Sequence, residues 1–246
     1  MLSMSASMAP PTREYPAKCW DVVPGGFKGS LVYTEAVAKL GRPGAVFLEI
    51  GALMGQSTCY MAHLLQRQET PRPIHFDVID YWARIDSTDP AVAVSWLPSD
   101  QHAYAVKWGK GEMSMVWRHY MEVTESWESI RDVKHCSSTD PETAKKYAAD
   151  SVDFIYLDTA HASGITATEL ELWWPKLKKS GSMLCGDDYI RVKDVSKKGT
   201  YENDIHTFFD RIGLEVVLWG YRQFCVGKGM SAACTAKGCG KQFQGD

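Results

Sequence analysis

The sequence lacks any apolar run that approaches the roughly 20 residues of a membrane-spanning helix, so we expect no membrane partner. It also lacks a secretory leader pattern. Residues 1–16 mix Ser, Met, Ala and Pro without a basic segment followed by a continuous apolar core. We expect residues 1–26 to form a flexible N-terminal arm.

A surplus of positive charge is missing as well. The formal net charge is −3, whereas nucleic acid binding requires a basic surface, so we expect no nucleic acid partner. Hydrophobic residues make up 45% and charged residues 23% of the 246 residues. This balance is typical of an ordinary globular protein, and the length suits one large α/β domain.

A regular cysteine framework is absent too. The seven cysteines are an odd number without regular spacing, which predicts reduced thiols and a cytoplasmic location. Cys234 and Cys239 supply only half of a tetrahedral zinc site. We therefore expect residues 230–246 to form a flexible tail without a metal.

The G-x-G-x-x-G fingerprint of dinucleotide binding is also absent, and Gly51 and Gly55 are separated by three intervening residues instead. They follow an apolar run at 46–50 and precede a helical stripe at 58–65. Strand, glycine turn and helix form the nucleotide pocket of an open α/β sheet. Because the anionic Glu49 repels a pyrophosphate and suits a cation, we expect a sulfonium or amino-acid-bearing nucleoside.

Strand and helix patterns alternate along most of the chain. Strand patterns cover 45–50, 74–79, 131–136, 152–157, 182–185, 214–219 and 224–227. This alternation predicts an α/β fold: a doubly wound, Rossmann-like, mostly parallel seven-stranded sheet with helices on both faces and an antiparallel last strand. We expect one domain over 27–229, with a helical cap inserted near 83–127.

Three of these strands end in an acid, at Glu49, Asp80 and Asp158. The carboxyl ends of strands in an open α/β sheet meet in one crevice. A carboxylate at Asp80 is suited to accept both hydroxyl protons of a ribose, and the alternative is an Asp that caps a helix. We favour the ribose role because of the glycine turn nearby.

A second group of acids contains Asp158, Asp187 and Asp188 at two strand ends. Three carboxylates around one point repel unless a cation neutralises them, and oxygen ligands favour Mg²⁺ or another hard divalent cation. The alternative is a solvated turn. His161 lies one turn past Asp158 and is a candidate to accept a substrate proton, with a surface histidine as its alternative.

Two further groups of residues have two interpretations each. Ser137 and Ser138 follow the third strand and either contact a base ring or cap the next helix. The aromatic stretch around Trp108, Trp117 and Trp127 is more typical of core packing than of a substrate cage.

Four passages of the chain resemble class I S-adenosylmethionine-dependent methyltransferases, in the branch that includes small-molecule and sugar O-methyltransferases. They are FLEIGALMGQSTCYMA, DVIDYW, SVDFIYLDTAHASGITATELELWWPKLKKSGSMLCGDDY and NDIHTFFDRIGLEVV. The third passage is the most specific, with an acid-terminated strand, D-x-x-H, an acidic helix ending in W-x-P-x-L-K, and a D-D-Y strand end. The family's G-G position reads Ser180-Gly181 here.

The resemblance implies S-adenosylmethionine as the cofactor. The residues implied to bind it are Glu49, Gly51 and Gly55 around the methionine part, Ser57 and Thr58 beside its carboxylate, Asp80 at the ribose, Tyr81 or Trp82 beside the adenine, Ser137 at the base, and Asp158 at the edge of the site.

The resemblance also implies a metal site. Metal-dependent members hold Mg²⁺ with one Asp at the fourth strand end and an Asp pair or Asp-Asn at the fifth, and Asp158, Asp187 and Asp188 match this pattern. Catechol-type members carry a lysine base three positions after the first metal Asp. This chain has His161 there, which leaves the catalytic base open.

We therefore expect a methyltransferase that acts on a hydroxyl of a small molecule with help from a divalent cation. The alternatives are a metal-free O- or N-methyltransferase and a non-catalytic nucleotide-binding module on the same fold. A homo-oligomer is also open, because the aromatic middle segment suits a partner surface as well as a pocket.

Overall fold

The computed structural model describes residues 19–67, 73–84, 109–161, 164–189, 200–219 and 222–230. Their strands form one mixed sheet. The strands are β1 (Val46–Ile50), β2 (His75–Asp80), β3 (Ile130–His135), β4 (Phe154–Leu157), β5 (Ser182–Gly186), β6 (Val217–Trp219) and β7 (Gln223–Lys228). Their order across the sheet is β3-β2-β1-β4-β5-β7-β6.

The strand pairing confirms the predicted architecture. β1 lies at the centre of the parallel part and pairs with β2 and β4, while β3 and β5 extend the parallel sheet on either side. β7 runs antiparallel to both β5 and β6. The carboxyl ends of β1, β2, β4 and β5 therefore lie along one edge of the sheet.

Six α-helices are described. They are α1 (Ser30–Leu40), α2 (Gln56–Gln66), α3 (Met113–Val123), α4 (Pro141–Lys145), α5 (Ile165–Trp173) and α6 (Tyr201–Arg211), with short 3₁₀ helices at Cys19–Val22, Ser126–Ser129 and Trp174–Lys176. Among the described residues, no helix has the length and apolar character needed to cross a bilayer.

The sheet has one hydrophobic core on each face. Phe47, Phe154 and Tyr156 face the core to which α1, α2 and α3 contribute. Leu48 and Ile155 face the other core, to which α5 and α6 contribute. Because both faces are covered, the central strands are nearly continuous apolar runs, as expected of buried parallel strands.

The loop before α4 answers one question that the sequence left open. The carboxylate of Asp140 accepts hydrogen bonds from the backbone N–H groups of Glu142 and Thr143, with Pro141 in the first turn, where it needs no donor. Asp140 is therefore the N-cap of α4, and the serine pair upstream is not.

The structure corrects the prediction that the cysteines are reduced. Cys185 and Cys225 form a disulfide, while Cys59 and Cys136 are free thiols. Cys185 lies directly opposite Cys225 because β5 and β7 are antiparallel neighbours. The two positions are separated by 40 residues, so spacing in the sequence does not indicate the pairing.

The predicted arm, cap and tail are only partly within the described residues. Residues 1–18, 85–108 and 231–246 lie outside them. The described end of the arm packs against the domain, because Val23 is buried and the side-chain amide of Gln56 donates to the carbonyl of Trp20.

Candidate active site

The turn between β1 and α2 needs both of its glycines. Gly51 has a φ of 94° and Gly55 a φ of 96°, in the region that side chains rarely adopt. A Cβ on Gly51 would lie 1.7 Å from the carbonyl oxygen of Asp158, and one on Gly55 would lie 2.5 Å from Met121. At Gly51 the close backbone approach that glycine permits is therefore used within the protein, where the ends of β1 and β4 meet.

Glu49 lies below this turn and is fully buried. Its carboxylate accepts hydrogen bonds from the hydroxyls of Tyr33, at 2.9 Å, and Thr58, at 2.5 Å. Burial raises the pKa of Glu49 to about 7, although the hydroxyls of Ser57, Thr58 and Tyr33 oppose this rise. Thr58 is buried beside Glu49, whereas Ser57 is partly exposed at the start of α2.

Asp80, at the end of β2, organises the same turn. One carboxylate oxygen accepts from the N–H groups of Ala52 and Leu53, and the other accepts from the N–H of Trp82. Burial raises the pKa of Asp80, and these N–H groups oppose the rise. A carboxylate offers about four acceptor positions. Three of them accept from backbone N–H groups, so one remains for a ribose hydroxyl.

The two aromatic residues after Asp80 differ in their surroundings. Trp82 is buried; its ring nitrogen donates to the carbonyl of Leu53 at 2.8 Å, and it packs against Trp117. Tyr81 is 52% exposed, so of the pair it has the ring free to stack on a base. Trp117 also packs against Trp127 within the core, and Trp108 lies outside the described residues.

Ser137 and Ser138 follow β3. The hydroxyl of Ser137 bonds to that of Thr139 at 2.9 Å, and the hydroxyl of Ser138 donates to the buried carboxylate of Glu169. Asp140, and not Ser137, caps α4. Ser137 lies at the carboxyl end of β3, and its predicted contact with the base stays a prediction.

The structure brings three of the predicted residues into one cluster. Ligand atoms of Asp158, His161 and Asp188 all lie within 4.8 Å of one another. Nε2 of His161 is 3.4 Å from a carboxylate oxygen of Asp158, and Nδ1 is 3.4 Å from one of Asp188. His161 therefore lies between the two acids at the edge formed by β4 and β5.

The third predicted metal ligand, Asp187, is engaged elsewhere. It is buried, and one carboxylate oxygen accepts from the side-chain amide of Gln223 at 2.9 Å and from the N–H of Asp188 at 2.7 Å. The cluster in this structure thus contains His161 where the sequence suggested Asp187.

The charges of the cluster depend on one another. Burial raises the pKa of Asp158 to about 7, against the opposing effect of His161. Burial also lowers the pKa of His161, but the contacts with Asp188 and Asp158 outweigh it and the pKa is raised. The bond from His161 is the main cause that holds the pKa of Asp188 below its usual value.

Arg222 belongs to this cluster and was not predicted from the sequence. Its guanidinium forms an ion pair with Asp188, and its Nε is buried without a hydrogen-bond partner among the described residues. Arg222 lies directly before β7, 34 positions after Asp188, so no local spacing links the two residues.

The donor set fits a divalent cation. Two carboxylates and one imidazole converge, and the Nε2 of His161 is buried without a hydrogen-bond partner in the part of the chain that the structure describes. Carboxylate oxygens suit hard cations such as Mg²⁺ and Mn²⁺, and imidazole extends the range to Fe²⁺ and Zn²⁺. Arg222 competes with such a cation because it already neutralises Asp188.

The parallel sheet with its reversed last strand, the glycine turn and the acids at its edge define a class I methyltransferase fold. The family described as "Methyltransferase domain" matches residues 48–189, and the chain belongs to this family. It is an S-adenosylmethionine-dependent methyltransferase. The sequence matches no curated protein significantly.

Solved structures share the fold at low sequence identity. The O-methyltransferase from Bacillus cereus in complex with SAH is 16% identical, with 87% of this chain and 84% of that chain covered and a TM-score of 0.51. The calicheamicin methyltransferase CalS11 is 18% identical, with 81% and 79% covered and a TM-score of 0.51. Cofactor-bound Rv0187 from MTB is 13% identical, with 87% of each chain covered and a TM-score of 0.52.

Proposed function

We propose that this methyltransferase transfers the methyl group of S-adenosylmethionine to a hydroxyl group of a small molecule. The observation that carries the proposal is the cluster of Asp158, His161 and Asp188 next to the glycine turn. The turn suits the donor and the cluster suits a hydroxyl that must lose its proton. The reaction is an in-line displacement in which the oxygen forms a bond to the methyl carbon as the bond from carbon to sulfur breaks.

The donor is already activated by its positive sulfur, so the protein's main contribution is to align donor and acceptor. In this proposal Asp80 binds the ribose, Tyr81 stacks on the adenine, and Ser137 contacts the base edge. The backbone N–H groups at the start of α2 face the donor's carboxylate, where a helix N-terminus favours an anion.

His161 is the proposed proton acceptor. Its Nδ1 faces Asp188, while its Nε2 lies 3.4 Å from a carboxylate oxygen of Asp158 and makes no hydrogen bond among the described residues. An imidazole held at one nitrogen can receive a proton at the other. The proposed acceptor hydroxyl therefore approaches Nε2 and transfers its proton there as the methyl group arrives.

Asp158, His161 and Asp188 are the residues that would hold a divalent cation, with Asp187 close to them. In that form Nε2 of His161 is a metal ligand, so His161 is the proton acceptor only in the metal-free form. When bound, such a cation supplies Lewis acidity that lowers the pKa of a chelated substrate hydroxyl. One observation favours a second form of the proposal, metal-free methyl transfer: the ion pair of Arg222 with Asp188 already places a positive charge at this point.

The test is transfer of an isotopically labelled methyl group to a panel of small molecules with phenolic, sugar or amine acceptor groups, before and after chelation. Labelled ethers support the proposal, and labelled amines alone contradict it. If a chelator abolishes transfer and Mg²⁺ restores it, the metal-dependent form holds. If transfer is unchanged by the chelator, the metal-free form holds.

A homo-oligomer and a cytoplasmic location stay predictions from the sequence. The reduced thiols that favoured the cytoplasm in the sequence are contradicted at Cys185 and Cys225, and this disulfide weighs against a reducing compartment. Peptide mapping of thiol-blocked protein taken from cells tests the location, because a linked peptide there contradicts it.

A further inference from the structure

Glu169 is a buried acid at the edge of the proposed site. It lies on α5 and is fully buried. Its carboxylate accepts one hydrogen bond from the hydroxyl of Ser138 and one from the hydroxyl of Thr159, at 3.1 Å. Ser138 follows β3 and Thr159 follows β4, so one carboxylate joins two loops that come from separate strands.

A second contact from α5 fixes the same serine. The ring nitrogen of Trp173 donates to the carbonyl of Ser138 at 2.7 Å. Residues four positions apart lie on the same side of a helix, so Glu169 and Trp173 face the loop together. Ser138 is thus held at its side chain and at its backbone by one helix.

The two joined loops carry the groups that the proposed reaction uses. Ser137, adjacent to Ser138, has the proposed contact with the base of the donor. Asp158, adjacent to Thr159, belongs to the cluster that faces the acceptor. A buried carboxylate is costly unless hydrogen bonds satisfy it, which favours the arrangement in which both loops reach Glu169 at once.

We infer that Glu169 is a positioning residue that sets the loop at the donor's base and the loop at the acceptor cluster in register with each other. The expected effect on donor binding and turnover rests on the proposed function. Its structural part concerns two loops and one carboxylate, which can be measured without substrate.

The chain offers a matched control in Asp153, at the opposite edge of the sheet. Asp153 is also fully buried and accepts hydrogen bonds from the side chains of Arg42 and Lys178 and from the N–H of Val46. Its contacts lie at the amino ends of β1 and β4, far from the carboxyl ends that carry the site. If Glu169 had only a structural role, its variants would lower stability without changing donor affinity, as we expect for Asp153→Asn.

The experiment compares Glu169→Ala, Glu169→Gln and Asp153→Asn with the unmodified protein. We expect Glu169→Ala to weaken binding of S-adenosylmethionine roughly tenfold by calorimetry and to lower kcat at saturating donor. Glu169→Gln keeps most of the donor affinity and most of kcat, because the amide oxygen accepts from one hydroxyl and the amide NH₂ donates to the other. Asp153→Asn lowers Tm but leaves donor affinity unchanged.

Amide hydrogen exchange supplies a second readout that is independent of the donor. Glu169→Ala increases exchange at 137–139 and 158–160 together, and Asp153→Asn does not. The inference is overturned if only one loop loosens, or if Glu169→Ala lowers Tm with donor affinity and exchange unchanged. If exchange increases in both loops of Glu169→Ala but the unmodified protein methylates no hydroxyl, the proposed function is wrong and the inference about the two loops still holds.

Discussion

Glu49 lies inside the protein, between the hydroxyls of Tyr33 and Thr58. The sequence indicates an acid at the end of a strand beside a glycine turn. The structure confirms this placement, because Glu49 lies near the carboxyl end of β1 (Val46–Ile50). It does not indicate the partner on α1, because Tyr33 is 16 positions away on a different element. The burial of the carboxyl group therefore follows from tertiary packing.

The first prediction concerns the pH dependence of stability. Because burial raises the pKa of Glu49 to about 7 from 4.5, the folded state binds more protons than the unfolded state between these values. The free energy of unfolding therefore falls as pH rises from 4.5 to 7, by up to roughly 3 kcal/mol from this group. We expect a smaller fall in the free energy of unfolding between pH 5 and pH 8 for Glu49→Gln than for the unmodified protein, measured by urea denaturation.

The control for this prediction is Glu171→Gln, since Glu171 is an exposed acid on α5 that pairs with Arg211. We expect this variant to keep the pH dependence of the unmodified protein, because exposed ion pairs contribute little. An unchanged pH dependence in Glu49→Gln contradicts the raised pKa of this buried carboxyl group.

The cluster of Asp158, His161 and Asp188, with Arg222 beside it, could be predicted in part from the sequence. Asp158, His161 and Asp188 follow from strand ends and one helical turn, because those features are local. Arg222 and the orientation of Asp187 depend on the β6–β7 region, which packs beside β5 only in the folded chain. Residues that come from distant elements in this way leave no spacing signal.

At the scale of the element, the turn from β1 to α2 was the clearest feature of the sequence, and the structure confirms the strand, turn and helix. Most boundaries agree within one or two residues: the predicted strand at 74–79 is His75–Asp80, and the predicted strand at 45–50 is Val46–Ile50. The strand predicted at 214–219 begins later, at Val217.

The second prediction concerns this turn. Gly51→Ala places a Cβ against the carbonyl oxygen of Asp158, at 1.7 Å without movement, so β1 and β4 must separate at their ends. We expect a loss of more than about 4 kcal/mol in the free energy of unfolding, measured by urea denaturation.

Gly44 provides the matched control. It also has a positive φ, of 78°, but a Cβ there meets nothing within 4 Å. Gly44→Ala therefore carries only the backbone strain of roughly 1–2 kcal/mol. Equal losses in the two variants contradict the close contact between the strand ends.

At the scale of the whole molecule, the alternation of strands and helices in the sequence was sufficient to predict a doubly wound, mostly parallel sheet, and the structure confirms it. The order of the strands was not predicted. The disulfide was not predictable, since it depends on the antiparallel return of β7 beside β5. The sequence prediction of reduced thiols was wrong for Cys185 and Cys225 because the two positions become neighbours only in the complete sheet.

The third prediction concerns this link. Non-reducing peptide mapping should recover Cys185 and Cys225 in one linked peptide. A dithiol reductant should lower the unfolding free energy by roughly 2–5 kcal/mol, and it should have no such effect on Cys225→Ala. Recovery of both positions as free thiols in unreduced protein contradicts the pairing.

The central claim is that the acids at one edge of the sheet bind the donor and the acceptor at separate points. Calorimetric titration of S-adenosylmethionine into the unmodified protein, Asp80→Ala and His161→Ala tests it most directly. We predict one site per chain, an affinity lowered by roughly 10- to 150-fold in Asp80→Ala, and an affinity close to that of the unmodified protein in His161→Ala. The absence of heat with the unmodified protein, or a loss of affinity in His161→Ala alone, contradicts the account.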